Sequence, residues 1–248
     1  MFLRSDDWWE YFMMAGCYDR RARWLLKRLL GAGDCFIDGG AHIGYYALFA
    51  AACVGDEGKV YAFEPHPQTV QSLRRNVEIN KHLHVEVVPM ALAGSTGSGL
   101  LSLPELMPGR KYHPMLASLI RDRDGGCGFQ EVPTLTLDEF ISTKQLSKVS
   151  LVKLDLEGMD AIALQGARQS LRAGVIESLI IEVSDDTKET LSSTLSDFCF
   201  DRVVNLQTWK PVRDIARLNT GLLPLNILCL RGVCAKRFKK ISFEKFLI

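Results

Sequence analysis

Cys35-Phe-Ile-Asp-Gly-Gly-Ala-His-Ile-Gly44 decides the reading of this chain. An apolar run ending at Asp38 reads as a buried parallel strand, the small residues Gly39, Gly40 and Ala41 as a tight turn, and Ile43 to Val54 as the helix leaving it. The next apolar run, Val60-Tyr-Ala-Phe-Glu64, is a second strand that closes on an acid. A carboxylate there stands where it can accept both hydroxyls of a ribose, so the two segments describe a nucleotide pocket in two pieces.

The turn also says which nucleotide. A dinucleotide fingerprint, G-x-G-x-x-G, needs its second glycine so that backbone can approach a pyrophosphate, and aligning Gly39 and Gly44 with its ends puts Ala41 at that place. The methyl group crowds a phosphate, and Asp38 repels one. A carboxylate suits a ligand with an ammonium group, such as the methionine end of S-adenosylmethionine, and this cofactor is expected over NAD.

A third segment, Val149-Ser-Leu-Val-Lys-Leu-Asp-Leu-Glu-Gly-Met-Asp160, reads as a strand ending near Asp155, a turn at Gly158 and a helix running to about Gly174. Together with Phe36-Ile-Asp-Gly-Gly-Ala-His-Ile-Gly-Tyr-Tyr46, Ala62-Phe-Glu-Pro-His-Pro67, Asn76, Asn80, Thr136-Leu-Asp138 and Leu164-Gln-Gly-Ala167, it closely resembles the FkbM family of S-adenosylmethionine-dependent methyltransferases. The resemblance runs from about Gly33 to Ser184. Asp160, where the family usually has Glu, and Gly39, where it often has Val, depart from the pattern.

The resemblance implies an α/β, Rossmann-like class I methyltransferase fold: a mostly parallel seven-stranded sheet, helices on both faces and a C-terminal antiparallel strand. It implies O-methylation of a hydroxyl on a small molecule, natural product or sugar. The cofactor is expected to touch Asp38, Gly39, Gly40, Ala41, His42 and Gly44 in the turn, Glu64, Pro65 and His66 after the second strand, Ala91 after the third, and Asp155 after the fourth. Competing readings are a carboxyl- or N-methyltransferase acting on a small molecule or peptide, a catalytically silent S-adenosylmethionine-binding module, and, on fold grounds, an NAD(P)-dependent oxidoreductase.

The whole chain sets bounds. Its 248 residues, 47% apolar, fit one α/β domain and exclude disorder, while a formal net charge of +1 gives no global reason to bind nucleic acid. Seven cysteines without a C-x-x-C pair argue for a reducing compartment, and Asp6, Asp7 and Glu10 precede any apolar run, unlike a secretory signal, so a cytoplasmic location is expected. The longest apolar stretches, Tyr45 to Val54 and Gly221 to Leu230, fall short of the ~20 residues that span a bilayer. Basic residues from Arg20 to Arg28, interleaved with Trp24 and leucines, read as the solvated face of an amphipathic helix.

Strands are expected at Cys35–Gly39, Lys59–Glu64, His84–Ala91, Val149–Asp155, Val175–Glu182, Asp201–Leu206 and Leu225–Leu230, with helices at Ile43–Val54, Gln68–Lys81, Met159–Arg172 and Lys188–Phe198. Such alternation means βαβ units with ligand loops at the strand C-terminal ends, where Asp38, Glu64, Asp155 and Glu182 all fall. Residues 1–32 are assigned to an N-terminal helical segment that can act as a lid, and 33–248 to the methyltransferase domain. The stretch Gly94 to Gln130, rich in glycine and proline, interrupts the alternation and reads as an irregular substrate loop carrying Arg110, Lys111, Tyr112 and His113.

Asp155, Glu157 and His113 are the candidate catalytic residues. Asp155 could hold the cofactor, act as base or bind a metal; Glu157 could serve the reaction or cap the helix after Gly158. Lys153, on the same face of the strand as Asp155, pairs with a carboxylate in this reading. His42 and His66 read as cofactor contacts or packing residues before bases. Asp155 and Glu182 are oxygen ligands of the kind a hard cation takes, but no third ligand is evident, so a divalent metal is a minor alternative and none is assigned.

Overall fold

The computed structural model describes residues 20–102, 118–119, 128–220, 225–232 and 235–236. β1 (Cys35–Gly39), β2 (Lys59–Phe63), β3 (Val85–Val88), β8 (Leu151–Leu154), β9 (Ser178–Val183), β10 (Arg202–Asn205) and β11 (Leu225–Leu230) form one seven-stranded sheet in the order β10-β11-β9-β8-β1-β2-β3. The pairs β1–β2, β1–β8, β2–β3 and β8–β9 are parallel, and β11 runs antiparallel to both β9 and β10. This is the expected class I methyltransferase sheet with its reversed strand.

Strand side chains alternate between faces, and each face has its own core. Cys35 and Ile37, with Val152, Leu154, Leu179 and Ile181, pack under α4 (Leu137–Thr143), α5 (Asp160–Gln165), α6 (Arg168–Arg172) and α7 (Lys188–Ser196). Phe36, with Leu151, Ile180 and Leu228, packs under α1 (Arg20–Leu29), α2 (Tyr45–Val54) and α3 (Pro67–Ile79). Leu25, Leu26 and Leu29 of α1 are almost fully buried in the second core. Complete burial of a Leu or Phe side chain contributes roughly 1.5–3 kcal/mol, so α1 is anchored by its apolar stripe.

Several elements differ from expectation for local reasons. α2 starts at Tyr45 and not at Ile43, because His42 (φ 51°) and Gly44 (φ 91°) hold left-handed backbone. The expected third strand divides: β3 ends at Val88, and β4 (Ala91–Leu92) leaves for a second, four-stranded sheet of order β4-β7-β5-β6. Its strands β5 (Gly97–Ser102), β6 (Ser118–Leu119) and β7 (Phe129–Leu135) come from the region read as irregular, with Gly97 to Ser102 pairing antiparallel with Thr134 to Phe129. Residues 103–117 and 120–127, including Arg110, Lys111, Tyr112 and His113, lie outside the described residues.

The helix expected over Met159–Arg172 breaks at Gly166. Its Asp138 partner explains the break: Asp138 Oδ2 accepts from the Gln169 N–H at 2.9 Å and Oδ1 from the Ser170 N–H at 2.8 Å, while the Asp138 N–H donates to Gly166 O at 2.8 Å. Thr136 caps α4 by accepting from the Glu139 N–H. A Cβ on Gly166 would stand 2.3 Å from Ala93 O. Asp138→Ala leaves the two α6 amides without their acceptor and is expected to destabilise the fold by about 1–3 kcal/mol, read as a lower urea midpoint at unchanged slope.

Candidate active site

The alternation that builds the second core also builds the site. Along each strand the row facing α1 and α2 begins apolar and turns polar at the sheet's C-terminal edge: Phe36 then Asp38 on β1, Leu151 then Lys153 and Asp155 on β8, Ile180 then Glu182 on β9, Ala62 then Glu64 after β2. Parallel register sets Asp38 beside Lys153, and antiparallel register sets Glu182 beside Asn226 of β11.

The turn after β1 is clamped from both sides. The N–H groups of Gly40 and Ala41 donate to Phe63 O at 3.1 and 2.8 Å, and the Asp155 N–H donates to Gly39 O at 3.2 Å. Gly40 has φ 75°, and a Cβ there would stand 2.1 Å from Asp155 O, so only glycine lets the turn lie against the end of β8. Asn76 of α3 donates from Nδ2 to Ile43 O at 2.9 Å and secures the outgoing chain.

Lys153 is buried, and its Nζ lies 3.0 Å from Asp155 Oδ2, 4.0 Å from Asp38 Oδ1 and 4.7 Å from the centre of the Tyr46 ring. This single ammonium serves more acid than it can neutralise. Asp38 is fully buried, neither oxygen accepts a hydrogen bond of normal geometry among the described residues, and burial pushes its carboxyl up to about 6 against the pull of Lys153. Asp160, first residue of α5, is also buried without a hydrogen-bond partner for either oxygen among the described residues; burial, then Asp155 and Glu182, push it up to about 8. Glu182 is raised to about 7 by burial and by Asp155, with Lys153 opposing. A site of this kind favours a cationic guest.

Glu64 is buried and organises the turn. Its Oε2 accepts from the His42 N–H at 3.0 Å and its Oε1 from the His66 N–H at 2.9 Å, while burial pushes it up to about 7 despite those two amides. Each oxygen keeps a lone pair for a further donor. His66 is the N-cap of α3: its Nδ1 accepts from the Thr69 N–H at 3.3 Å and lies 3.0 Å from Thr69 Oγ1, so its ring is engaged in capping, with Pro67 behind it. Ala91 is buried in β4, where it pairs with Thr134.

A cavity of about 210 Å³ opens beside Lys153, Asp155, Glu182 and Asn226. Tyr46 and Ile180 also line it, and α1 closes one side with Arg21, Ala22 and Leu26. Trp209 forms a further wall: its backbone has φ 59°, its N–H donates to Asn205 O at 2.7 Å, and its ring meets Trp24 edge-on at 5.7 Å. Arg21 Nη1 donates to Gln207 O at 2.9 Å across the same seam. Sequence reading missed Trp209, Asn226 and Arg21, since only the reversed strand and α1 bring them to the site.

The structure thus brings Asp38, the Gly39–Gly44 turn, Glu64 and Asp155 to one edge. Glu157 lies exposed in the turn after β8 with φ 52°, two residues before Met159, the N-cap of α5. His113 lies outside the described residues. No group of three His, Cys, Asp or Glu side chains placed to hold a metal ion occurs among the described residues.

The methyltransferase FkbM domain matches residues 38–200, about two thirds of the chain. The chain belongs to this family. As an FkbM-family protein it is a methyltransferase that uses S-adenosylmethionine, and the acid-lined edge fits that cofactor: the fully buried Asp38 and the carboxylates around Lys153 call for positive charge, and the glycine turn leaves room over the strand ends. The hexuronic acid methyltransferase AglP of Haloferax volcanii is 25% identical over 151 residues, 60% of this chain and 56% of AglP, so the match spans little more than half of that relative. A protein of Clostridium thermocellum assigned as an rRNA methylase superposes with a TM-score of 0.52 at 12% identity, covering 85% of this chain and 93% of its own. A methyltransferase-assigned protein of Streptococcus mutans, solved in complex with S-adenosylhomocysteine, gives 0.50 at 13% identity, covering 86% and 97%. These two likenesses show the fold. No helix among the described residues is long and apolar enough to cross a membrane.

Asp38, Glu64, Asp160 and Glu182 all hold protons above the ordinary carboxylate range, so between about pH 4 and pH 8 the folded protein binds more protons than the unfolded chain. The stability these four groups contribute is fully present at the acid end of that window and is lost as pH rises through it. The melting temperature of the ligand-free protein is expected to fall from about pH 5 to about pH 8. Asp160→Asn is expected to flatten that fall, and an unaltered slope in this variant counts against the assignment.

Proposed function

We propose that the cavity beside Asp155 is the acceptor pocket and that the protein methylates a hydroxyl group on a small, ring-bearing molecule. The observation that carries this reading is the composition of that cavity: two carboxylates, an amide and an ammonium at the sheet edge, with Trp209 and Arg21 in its walls. Polar groups of this kind orient hydroxyls, and the flat indole packs against a ring. A volume of about 210 Å³ lies below the ~300–1,000 Å³ of pockets for drug-sized ligands and suits a single ring. Similarity to a hexuronic acid methyltransferase supports a sugar-like acceptor. The formal net charge of +1 gives no global electrostatic reason to bind nucleic acid.

S-adenosylmethionine supplies a methyl group already activated by the positive charge on its sulfur. The chain's own residues then bind and align. Asp38 faces the ammonium of the methionine end, Glu64 accepts from the ribose hydroxyls with the lone pairs left by its two backbone amides, and Gly40 keeps the turn low enough for the ligand to reach the strand ends. Asp155, steadied by Lys153, holds negative potential at the floor of the acceptor cavity. Alignment can contribute ~7–11 kcal/mol, more than the ~3–5 kcal/mol of a general base, so this geometry carries most of the rate.

Incubating the protein with S-adenosylmethionine and a panel of neutral sugars, hexuronic acids and cyclic alcohols is expected to yield a methyl ether, seen by mass spectrometry as one added methylene. A base-labile methyl ester would overturn the hydroxyl reading, and cofactor binding without any transfer would favour a silent binding module. Glu64→Ala strands a pair of ribose hydroxyls, a loss of about 1–3 kcal/mol, and calorimetry should report about tenfold weaker S-adenosylmethionine binding. Trp209→Ala should raise the acceptor KM while leaving cofactor affinity within about twofold. Equal loss of both would contradict the division of the edge into two pockets.

A further inference from the structure

We propose that Glu182 is the general base that takes the acceptor's proton, with Asp155 and Lys153 positioning and tuning it; this rests on the acceptor-pocket reading above. The cavity presents two carboxylates. Asp155 is committed, its Oδ2 3.0 Å from Lys153 Nζ. Glu182 makes no hydrogen bond or ion pair among the described residues, yet it lines the same cavity from the C-terminal end of β9, half buried, beside Asn226. Both of its oxygens are therefore open to an acceptor hydroxyl, whereas Asp155 has one oxygen held by Lys153.

The charged groups around it come from every neighbouring element: Lys153 and Asp155 from β8, Asp160 from α5 and Arg21 from α1, with neutral Asn226 on β11 and Gln207 and Trp209 in the loop between β10 and β11. Burial and the Asp155 charge raise the Glu182 carboxyl to about 7, and Lys153 keeps it from rising further. A base serves best when its pKa lies near the working pH. In the reaction the acceptor oxygen bonds to the methyl carbon, the methyl–sulfur bond breaks with its electron pair staying on sulfur, and the hydroxyl proton passes to Glu182. Bulk water then takes that proton through the cavity mouth.

The test needs two readouts. In protein labelled with ¹³C at the glutamate carboxyls and saturated with S-adenosylhomocysteine, the resonance missing from Glu182→Gln is expected to titrate near neutral pH, and Asp155→Asn should move that midpoint downward. A midpoint in the ordinary glutamate range, about 4.3, overturns the proposal. With methyl α-D-glucopyranoside and D-glucuronic acid as probe acceptors, Glu182→Gln is expected to lose ~10²-fold or more in kcat at unchanged cofactor affinity, and to lose the acid limb of the pH–rate profile. Glu182→Asp, which retains a carboxylate, should keep that limb at an intermediate rate and guards against a misfolded Gln variant. A wild-type rate in Glu182→Gln, or a flat wild-type profile, overturns the proposal. If neither sugar accepts a methyl group, the hydroxyl-acceptor reading fails for them, and the titration still decides Glu182.

Discussion

The Lys153 ammonium is the contact on which the site depends. An ion taken out of water costs several kcal/mol unless it is paired, and Lys153 is buried at a place where Asp38, Asp155 and the Tyr46 ring surround it. Removing it would leave buried acids facing one another. Its presence still leaves the cluster short of positive charge, because Asp160 and Glu182 also crowd the edge and both are raised above the ordinary carboxylate range. Such a cluster has two ways to relax: it can hold protons, or it can receive a cation. S-adenosylmethionine is a cation at its sulfur and at its ammonium, and a cation of this kind at the edge would relieve the crowding of its acids.

The fold delivers these groups with little special architecture. In parallel strands of matched register, side chains on one face form rows, and the C-terminal edge is where a row leaves the core. Phe36, Leu151 and Ile180 bury their part of the row under α1 and α2, and the next position on each strand is the polar one, Asp38, Lys153 or Glu182. The reversed strand β11 adds Asn226, and the loop before it adds Trp209. α1 covers the face with leucines and reaches the cavity with Arg21, so core packing and one cavity wall share a helix.

Much of this was legible in the chain because it is local. The strand–turn–helix at Cys35 to Val54, the acid Glu64 and the end of the fourth strand depend on neighbours in sequence, and period-2 alternation puts Asp38 and Lys153 on the same face as Phe36 and Leu151. What escaped was non-local. Asp138 and Asn76 carry chemistry-bearing side chains but serve as braces, holding the α6 amides and Ile43 O across 31 to 33 residues of sequence. Glu182 was visible as a strand-end acid, yet the role proposed for it turns on Asp155 being tied to Lys153 and on Asn226 arriving from a distant strand. The second sheet was hidden because β5 and β7 are separated by a long insertion, so glycine and proline masked their pairing.

A cationic ligand entering this edge is expected to displace protons from its carboxyls. Titration calorimetry of S-adenosylmethionine binding, repeated near neutral pH in buffers of different ionisation enthalpy, measures this exchange directly. Net proton release on binding, and less release for the neutral thioether S-adenosylhomocysteine, is the expected result. Binding enthalpies that do not depend on the buffer, or equal proton release for both ligands, would contradict it.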